Sequence, residues 1–352
     1  MAKRSAPIEI EETDRIEGFP HPRETLDLVG QEAALARAAR AIRGGRPPQA
    51  WLISGPPGIG KATLAYRIAR YLLAHGATDA GADDLGVPPD NRAAVQIAAR
   101  AHPGLLVIKR GLNEKTGKLM TETSVNEVRK LTDFFGMTSG AGGWRVVIVD
   151  PADDLNDNAA NALLKLLEEP PSDAMLLLLS HRPGRLLPTI RSRCQRLELR
   201  PLDNPDMDKV LRRMLPDMDA AERASLARLS GGSPGAALTL ATGDGAELAA
   251  EADKLIDTAR APDLLALLAL GERIWRTRDG LQQFGAFLAE ALAGRIRAKA
   301  HSGAAGLDRW VQALGRLEQA FGRATGLNLE PRQTVLSAAR DISSTTRIAG
   351  SL

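Results

Sequence analysis

The sequence predicts an α/β protein: a parallel sheet with helices on both faces, followed by an all-helical remainder. Three observations predict it. Up to about Pro201, short and nearly continuous apolar runs alternate with helix-patterned segments, the pattern of strands buried on both faces. A glycine- and proline-rich turn joins one apolar run to a helix at residues 55–61. Beyond Pro201 strand signals fade, and from Glu247 onward Leu- and Ala-rich stretches read as helix.

The elements follow in order. Val29 to Arg43 reads as a helix on the spacing of Leu35, Ala38, Ala39 and Ile42. Ala50 to Ile53 reads as a strand and Thr63 to Ala74 as a helix. Asp79 to Asn91 is rich in Gly, Asp and Pro and reads as a loop. Leu105 to Ile108 is a short strand; Val125 to Phe135 is a helix with Val125, Val128, Leu131 and Phe135 on one face. Arg145 to Val149 is a buried strand. Asn158 to Leu167 is a helix that Pro170 and Pro171 stop. Met175 to Leu179 is another buried strand, and Pro205 to Leu215 and Ala220 to Leu229 are short helices before the Gly231-Gly232 break. Boundaries therefore fall near Pro201 and Asp244. They divide the chain into a mobile lead-in (1–18), an α/β domain (19–201), a small helical segment (202–243) and a helical domain (244–352).

Composition narrows the class. In 352 residues, 44% are hydrophobic and 25% charged, as in ordinary globular proteins. Aromatics are scarce at 3%, so the core rests on aliphatic side chains. A net charge of +3 permits contact with nucleic acid without arguing for it. Cys194 is the single cysteine. No disulfide within the chain and no cysteine-built zinc site can form, which fits a reducing cytoplasm. Its surroundings suit a small packed residue better than a reactive thiol. The opening residues soon turn acidic and lack an apolar core, so they do not read as a signal peptide. Apolar runs such as Met175 to Leu179 are far too short to span a bilayer.

The chemistry concentrates in three places. Gly55-Pro56-Pro57-Gly58-Ile59-Gly60-Lys61 follows a strand and opens a helix, the setting in which backbone N–H groups and a lysine cradle phosphates. The plainer alternative is a Gly/Pro turn. The residue after the lysine should carry a hydroxyl for Mg²⁺, but it is Ala62. Thr63 is next, turned away by about 100° on a helix. Next, Arg145 to Val149 ends in Asp150, placed to support a metal, and the following residue is Pro151. Proline has neither acid nor base to activate water, and Asp153, three residues on, has a different direction and reach. Third, Arg191, Arg193 and Arg196 form a basic stretch, which alone reads as solvated loop.

These segments resemble the AAA+ clamp-loader subunits of bacterial DNA polymerase III. Gly55 to Lys61 is similar to their GPPGxGK loop. Asn158 to Lys165 with Leu167 to Pro171 is similar to their AxNALLKxLEEPP block, and Thr189 to Cys194 to their SRC motif. His102-Pro103 and, more weakly, Leu327 to Arg332 also match. The likeness is good from Val29 to Pro201 and loose beyond. It implies a RecA-like AAA+ domain, a helical lid and a collar that packs subunits into a five-membered ring. Partners then follow: gamma/tau and delta subunits, the sliding clamp and, through the complex, primed DNA, with no membrane. The resemblance also implies that Arg193 is an arginine finger presented to a neighbour's ATP, whose fork suits phosphate oxygens.

Motor subunits of the family carry an arginine in a GSxRDAL segment. Here the matching stretch is Gly232 to Leu238, with Gly235 at the arginine's place. With Ala62 and Pro151, that makes three departures in separate motifs, all pointing to a subunit without its own turnover. ATP or ADP is then expected in a degenerate site held by Gly55, Pro56, Pro57, Gly58, Ile59, Gly60, Lys61, Ala62, Thr63 and Asp150. Relatives with a zinc module place four cysteines between the loop and His102-Pro103. Asp79 to Ala101 has none, so zinc is not expected. The competing readings are an active gamma/tau-type motor, supported by Lys61 and Asp150, and an AAA+ scaffold with no part in hydrolysis. A small-molecule P-loop kinase finds no support in the helical C-terminal part.

Overall fold

The structure is a computed structural model that describes residues 15–78, 84–111, 120, 122–136, 143–242, 245–277, 280–301, 306–327, 329–350 and 352. Most of the expected lead-in, part of the 79–91 loop and Asn328 lie outside the described residues. The chain divides into two compact units. The first comprises residues 1–210 with 233–235, the second 211–232 with 236–352.

The first unit is built on five parallel strands: β1 (Ala50–Ser54), β2 (Leu105–Ile108), β3 (Arg145–Val149), β4 (Ala174–Ser180) and β5 (Gln195–Glu198). Their order across the sheet is β2-β3-β4-β1-β5. Helices α1 (Glu32–Arg43), α2 (Lys61–His75), α3 (Arg92–Ala98), α4 (Val125–Gly136), α5 (Asp157–Glu168) and α6 (Pro188–Arg193) connect and cover them, and α7 (Asn204–Met214) follows β5. Side chains alternate across a strand, and here both sets are buried. Trp51, Ile53, Val146, Ile148, Leu177 and Leu179 pack with Ile68 and Tyr71 of α2. Leu52, Val147, Val149, Leu176 and Leu178 pack on the opposite face with Leu131 of α4 and Leu163 of α5. This is the parallel α/β sheet, covered by helices on both faces, that the sequence predicts. Every residue of β4 is buried, which is why the run Met175 to Leu179 shows no alternation in sequence.

Local chemistry sets the boundaries. α1 begins at Glu32, three residues later than expected, because Gln31 is its N-cap. Gln31 also donates to the carbonyls of Arg200, at 2.8 Å, and Ile59. α2 begins two residues earlier than expected, at Lys61, directly after Gly60 in the left-handed conformation. α5 begins at Asp157, where the Asn156 side chain accepts from the Ala159 N–H at 2.9 Å. Each leucine on its buried face, such as Leu163, contributes about 1.5–3 kcal/mol of apolar burial.

In the second unit α8 (Ala220–Leu229) opens with a capping box of Asp219 and Glu222. After α9 (Pro234–Ala241), the helices α10 (Gly245–Asp257), α11 (Leu264–Arg276), α12 (Gly280–His301), α13 (Leu307–Gly326) and α14 (Pro331–Ala349) enclose a separate core. Leu255, Phe284, Leu288, Trp310, Leu317, Val335 and Ile342 lie at its centre. A forked ion pair from Arg316 to Asp341 joins α13 to α14. No helix among the described residues is long and apolar enough to cross a membrane.

Candidate functional site

The Gly55–Lys61 turn leaves the C-terminal end of β1 and runs into α2. Gly55 has φ 146°, and a Cβ there would stand 2.5 Å from the Leu199 carbonyl, so only glycine fits. Ile59 is buried and anchors the loop in the core, while Pro56, Pro57 and Gly58 are exposed.

Every carbonyl from Gly55 to Gly60 accepts a hydrogen bond. Lys61 Nζ donates to Gly55 at 2.8 Å and Pro56 at 2.6 Å. Ser233 Oγ donates to Pro57 at 2.9 Å and the Gly235 N–H to Gly58 at 2.9 Å. Gln31 reaches Ile59, and the Leu64 N–H bonds Gly60 at 3.0 Å. With the carbonyls engaged, the loop N–H groups and the first turn of α2 form the donor set that phosphate requires. The residues present therefore fit the phosphates of a nucleotide. They fit its metal poorly, because Ala62 has no hydroxyl and packs against the apolar core. Thr63 is half-buried on the next position of α2.

Charged groups converge on the same strand ends. Burial brings the Lys61 ammonium down to about 8, opposed by the charges of Asp150 and Asp153. Asp150 directly follows β3, with Pro151 after it and then a 3₁₀ turn, Ala152–Asp154. Asp153 is committed elsewhere. Its carboxylate accepts from Ser180 Oγ at 2.7 Å and from the His181 N–H at 2.5 Å, fixing the end of β4. It is thus no substitute for the acid missing at Pro151. Asp154 pairs with Arg110 at 3.0 Å, and burial raises its carboxyl above the ordinary value. His181 is pulled down to about 4, by burial first and then by the charge of Lys61. Its Nδ1 is buried without a hydrogen-bond partner.

Sequence reasoning missed Gln31, Ser180 and His181. The signal available was position: Ser180-His181 ends the run next to β1, where the C-terminal ends of parallel strands converge. Among the described residues no group of three or more His, Cys, Asp and Glu could hold a metal ion.

Arg193 is brought to a different place. It is the last residue of α6, a short helix with Pro188 in its first turn, and not part of a solvated loop. Edge strand β5 follows. Its residue Gln195 pairs with Trp51, near the start of β1, whereas the phosphate loop leaves the other end of β1 beyond Ser54. Arg193 and Lys61 therefore lie at opposite ends of the same strands, roughly 15 Å apart at 3.3 Å per residue. The Arg193 guanidinium is 2.7 Å from Glu168 Oε1 and donates to the Thr189 carbonyl at 3.1 Å. A shallow notch of 110 Å³ beside it is lined by Pro48, Gln49, Leu166, Pro170 and Gln195, among others. Cys194 is buried, and burial pushes its thiol up to about 12.

Residues 30–203 match the family model described as DNA polymerase III, delta subunit. A Pseudomonas aeruginosa protein named DNA polymerase III subunit delta' is 43% identical over 194 residues, 54% of this chain and 56% of that one. The Escherichia coli protein of the same name is 36% identical over 206 residues, 58% of each. Escherichia coli DNA polymerase III subunit tau is 30% identical over 267 residues, 72% of this chain and 39% of that one. The aligned region thus spans little more than half the length of the two delta' relatives.

Proposed function

We propose, from a chain that belongs over residues 30–203 to the DNA polymerase III delta-subunit family, that it serves as the delta-prime subunit of a cytoplasmic clamp loader. In this role it helps place the sliding clamp on primed DNA, together with gamma/tau and delta subunits. It turns over no ATP of its own and lends Arg193 to the nucleotide of a neighbouring motor subunit.

One observation carries the reading: Arg193 stands at the end of the sheet opposite Lys61. A guanidinium so placed cannot reach phosphates in its own loop, so any phosphate it serves belongs to another molecule. The chain's own loop supports nucleotide binding through the N–H groups around Gly58 to Lys61 and through Lys61 Nζ. Bound ATP or ADP would present its phosphates there. The residues around it supply no hydroxyl at Ala62 and no water-activating acid at Pro151, which argues for binding without turnover.

The test is steady-state ATPase measured by omission. The purified chain alone should be inactive, and adding it to gamma/tau and delta subunits should raise their rate. Arg193→Ala should assemble but lower that rate, by up to roughly 10³-fold at the site it serves. Turnover by the isolated chain at the level of a motor subunit would instead favour the second reading, an active motor. The likeness to tau and the retained Lys61 and Asp150 are the observations in its favour.

A further inference from the structure

We propose that Glu168 is a positioning residue for Arg193; the inference deepens the arginine-finger reading and rests on it. Two short-range contacts fix the guanidinium. Glu168 Oε1, at the last residue of α5, lies 2.7 Å from Nη2, and the Thr189 carbonyl at the start of α6 accepts from Nη1 at 3.1 Å. Arg193 thus bridges the ends of two helices, both in contact with the buried face of the sheet.

A guanidinium has five N–H donors in a rigid plane. Two are taken by Glu168 and Thr189, leaving three for an arriving phosphate. An unrestrained arginine would have to lose its rotamer freedom at the moment of phosphate contact. Here that ordering is done in advance by the chain's own carboxylate. The pair is partly exposed, with side-chain exposures of 36% for Arg193 and 51% for Glu168, so a partner surface can approach it. Exposure also limits the size of the effect, because solvent screens such pairs.

Glu168 touches no nucleotide in this scheme. It acts only through Arg193, and that restriction makes it testable. In a loader reconstituted with gamma/tau and delta subunits, Glu168→Ala should lower kcat for ATP about two- to fivefold with KM nearly unchanged. Glu168→Asp should recover part of the loss. In an Arg193→Ala background the Glu168→Ala change should have no further effect. Co-elution of the ring by gel filtration checks that each variant assembles. If Arg193→Ala lowers the rate but Glu168→Ala leaves it unchanged or raises it, Glu168 does not position the finger and this proposal alone fails. If the two losses multiply in the double variant, Glu168 acts by another route, which also overturns it. If Arg193→Ala itself has no effect, the finger reading is wrong and takes the Glu168 proposal with it.

Discussion

Gly235 lies against Gly58 so closely that a Cβ on Gly235 would stand 2.7 Å from the Gly58 Cα, while its N–H bonds the Gly58 carbonyl at 2.9 Å. The motor subunits' arginine at this place is therefore not merely lost here; its space is taken by backbone.

Restoring that arginine should harm the protein. Gly235→Arg is expected to destabilise by about 1–3 kcal/mol, the usual cost of overpacking, and to bring no ATPase activity. Urea unfolding monitored by circular dichroism, with a parallel ATPase assay, measures both. A Gly235→Arg protein of wild-type stability that hydrolyses ATP would show that the Gly235–Gly58 approach is not a constraint.

Nucleotide affinity should depend little on magnesium. With Ala62 in place of a hydroxyl the loop offers the ion no ligand. Titration with fluorescent ADP should give Kd values within about threefold with and without Mg²⁺, a difference below one hydrogen bond's worth. Ala62→Ser should introduce a dependence, and Lys61→Ala should abolish binding under both conditions. A strong Mg²⁺ requirement in the wild-type chain would contradict this account.

His181 should contribute to acid sensitivity. Its folded value of about 4 lies below the ordinary 6.5, so between these pH values the unfolded chain binds more protons. Stability from this group is complete above about pH 6.5 and is lost as pH falls toward 4. His181→Asn should flatten that segment of the stability–pH curve. Because the Lys61 charge is one cause of the depression, Lys61→Met should move the His181 midpoint upward in an NMR titration. A downward or absent shift would contradict the placement of the two side chains.

Cys194 should be inert until the fold opens. Burial takes its thiol from 9.0 to about 12, so at pH 8 the thiolate fraction falls about a thousandfold. Ellman's reagent should label native protein at least about a thousand times more slowly than protein in urea. Fast labelling of the native chain would show that Cys194 is not packed as described.

Much of this was legible in the sequence because the relevant signals are local. Leu105–Ile108 and Arg145–Val149 are uninterrupted apolar runs, and both strands have the expected bounds. The Pro170-Pro171 stop and the buried spacing of Leu35, Ala38, Ala39 and Ile42 are equally direct. β5 was missed because it is an edge strand of four residues in which Leu197 alone is buried. α3 is one short Ala-rich stretch, and α6 hides inside a basic segment whose Pro188 was the available cue. The loop chemistry at Lys61 could be read from spacing. The tethers from Gln31, Ser233 and Gly235 could not, since they come from 28 to 177 residues away and are brought close only by the fold.

With all six carbonyls from Gly55 to Gly60 spoken for, the peptide planes of the phosphate loop cannot flip one at a time. The loop behaves as a stiff mould whose N–H vectors are set before any anion arrives, so capture of a phosphate leaves little backbone disorder to remove. Hydrogen exchange at Ile59 to Ala62, whose N–H groups are left for the anion, should accordingly slow when nucleotide binds, while the loop carbonyls keep their partners.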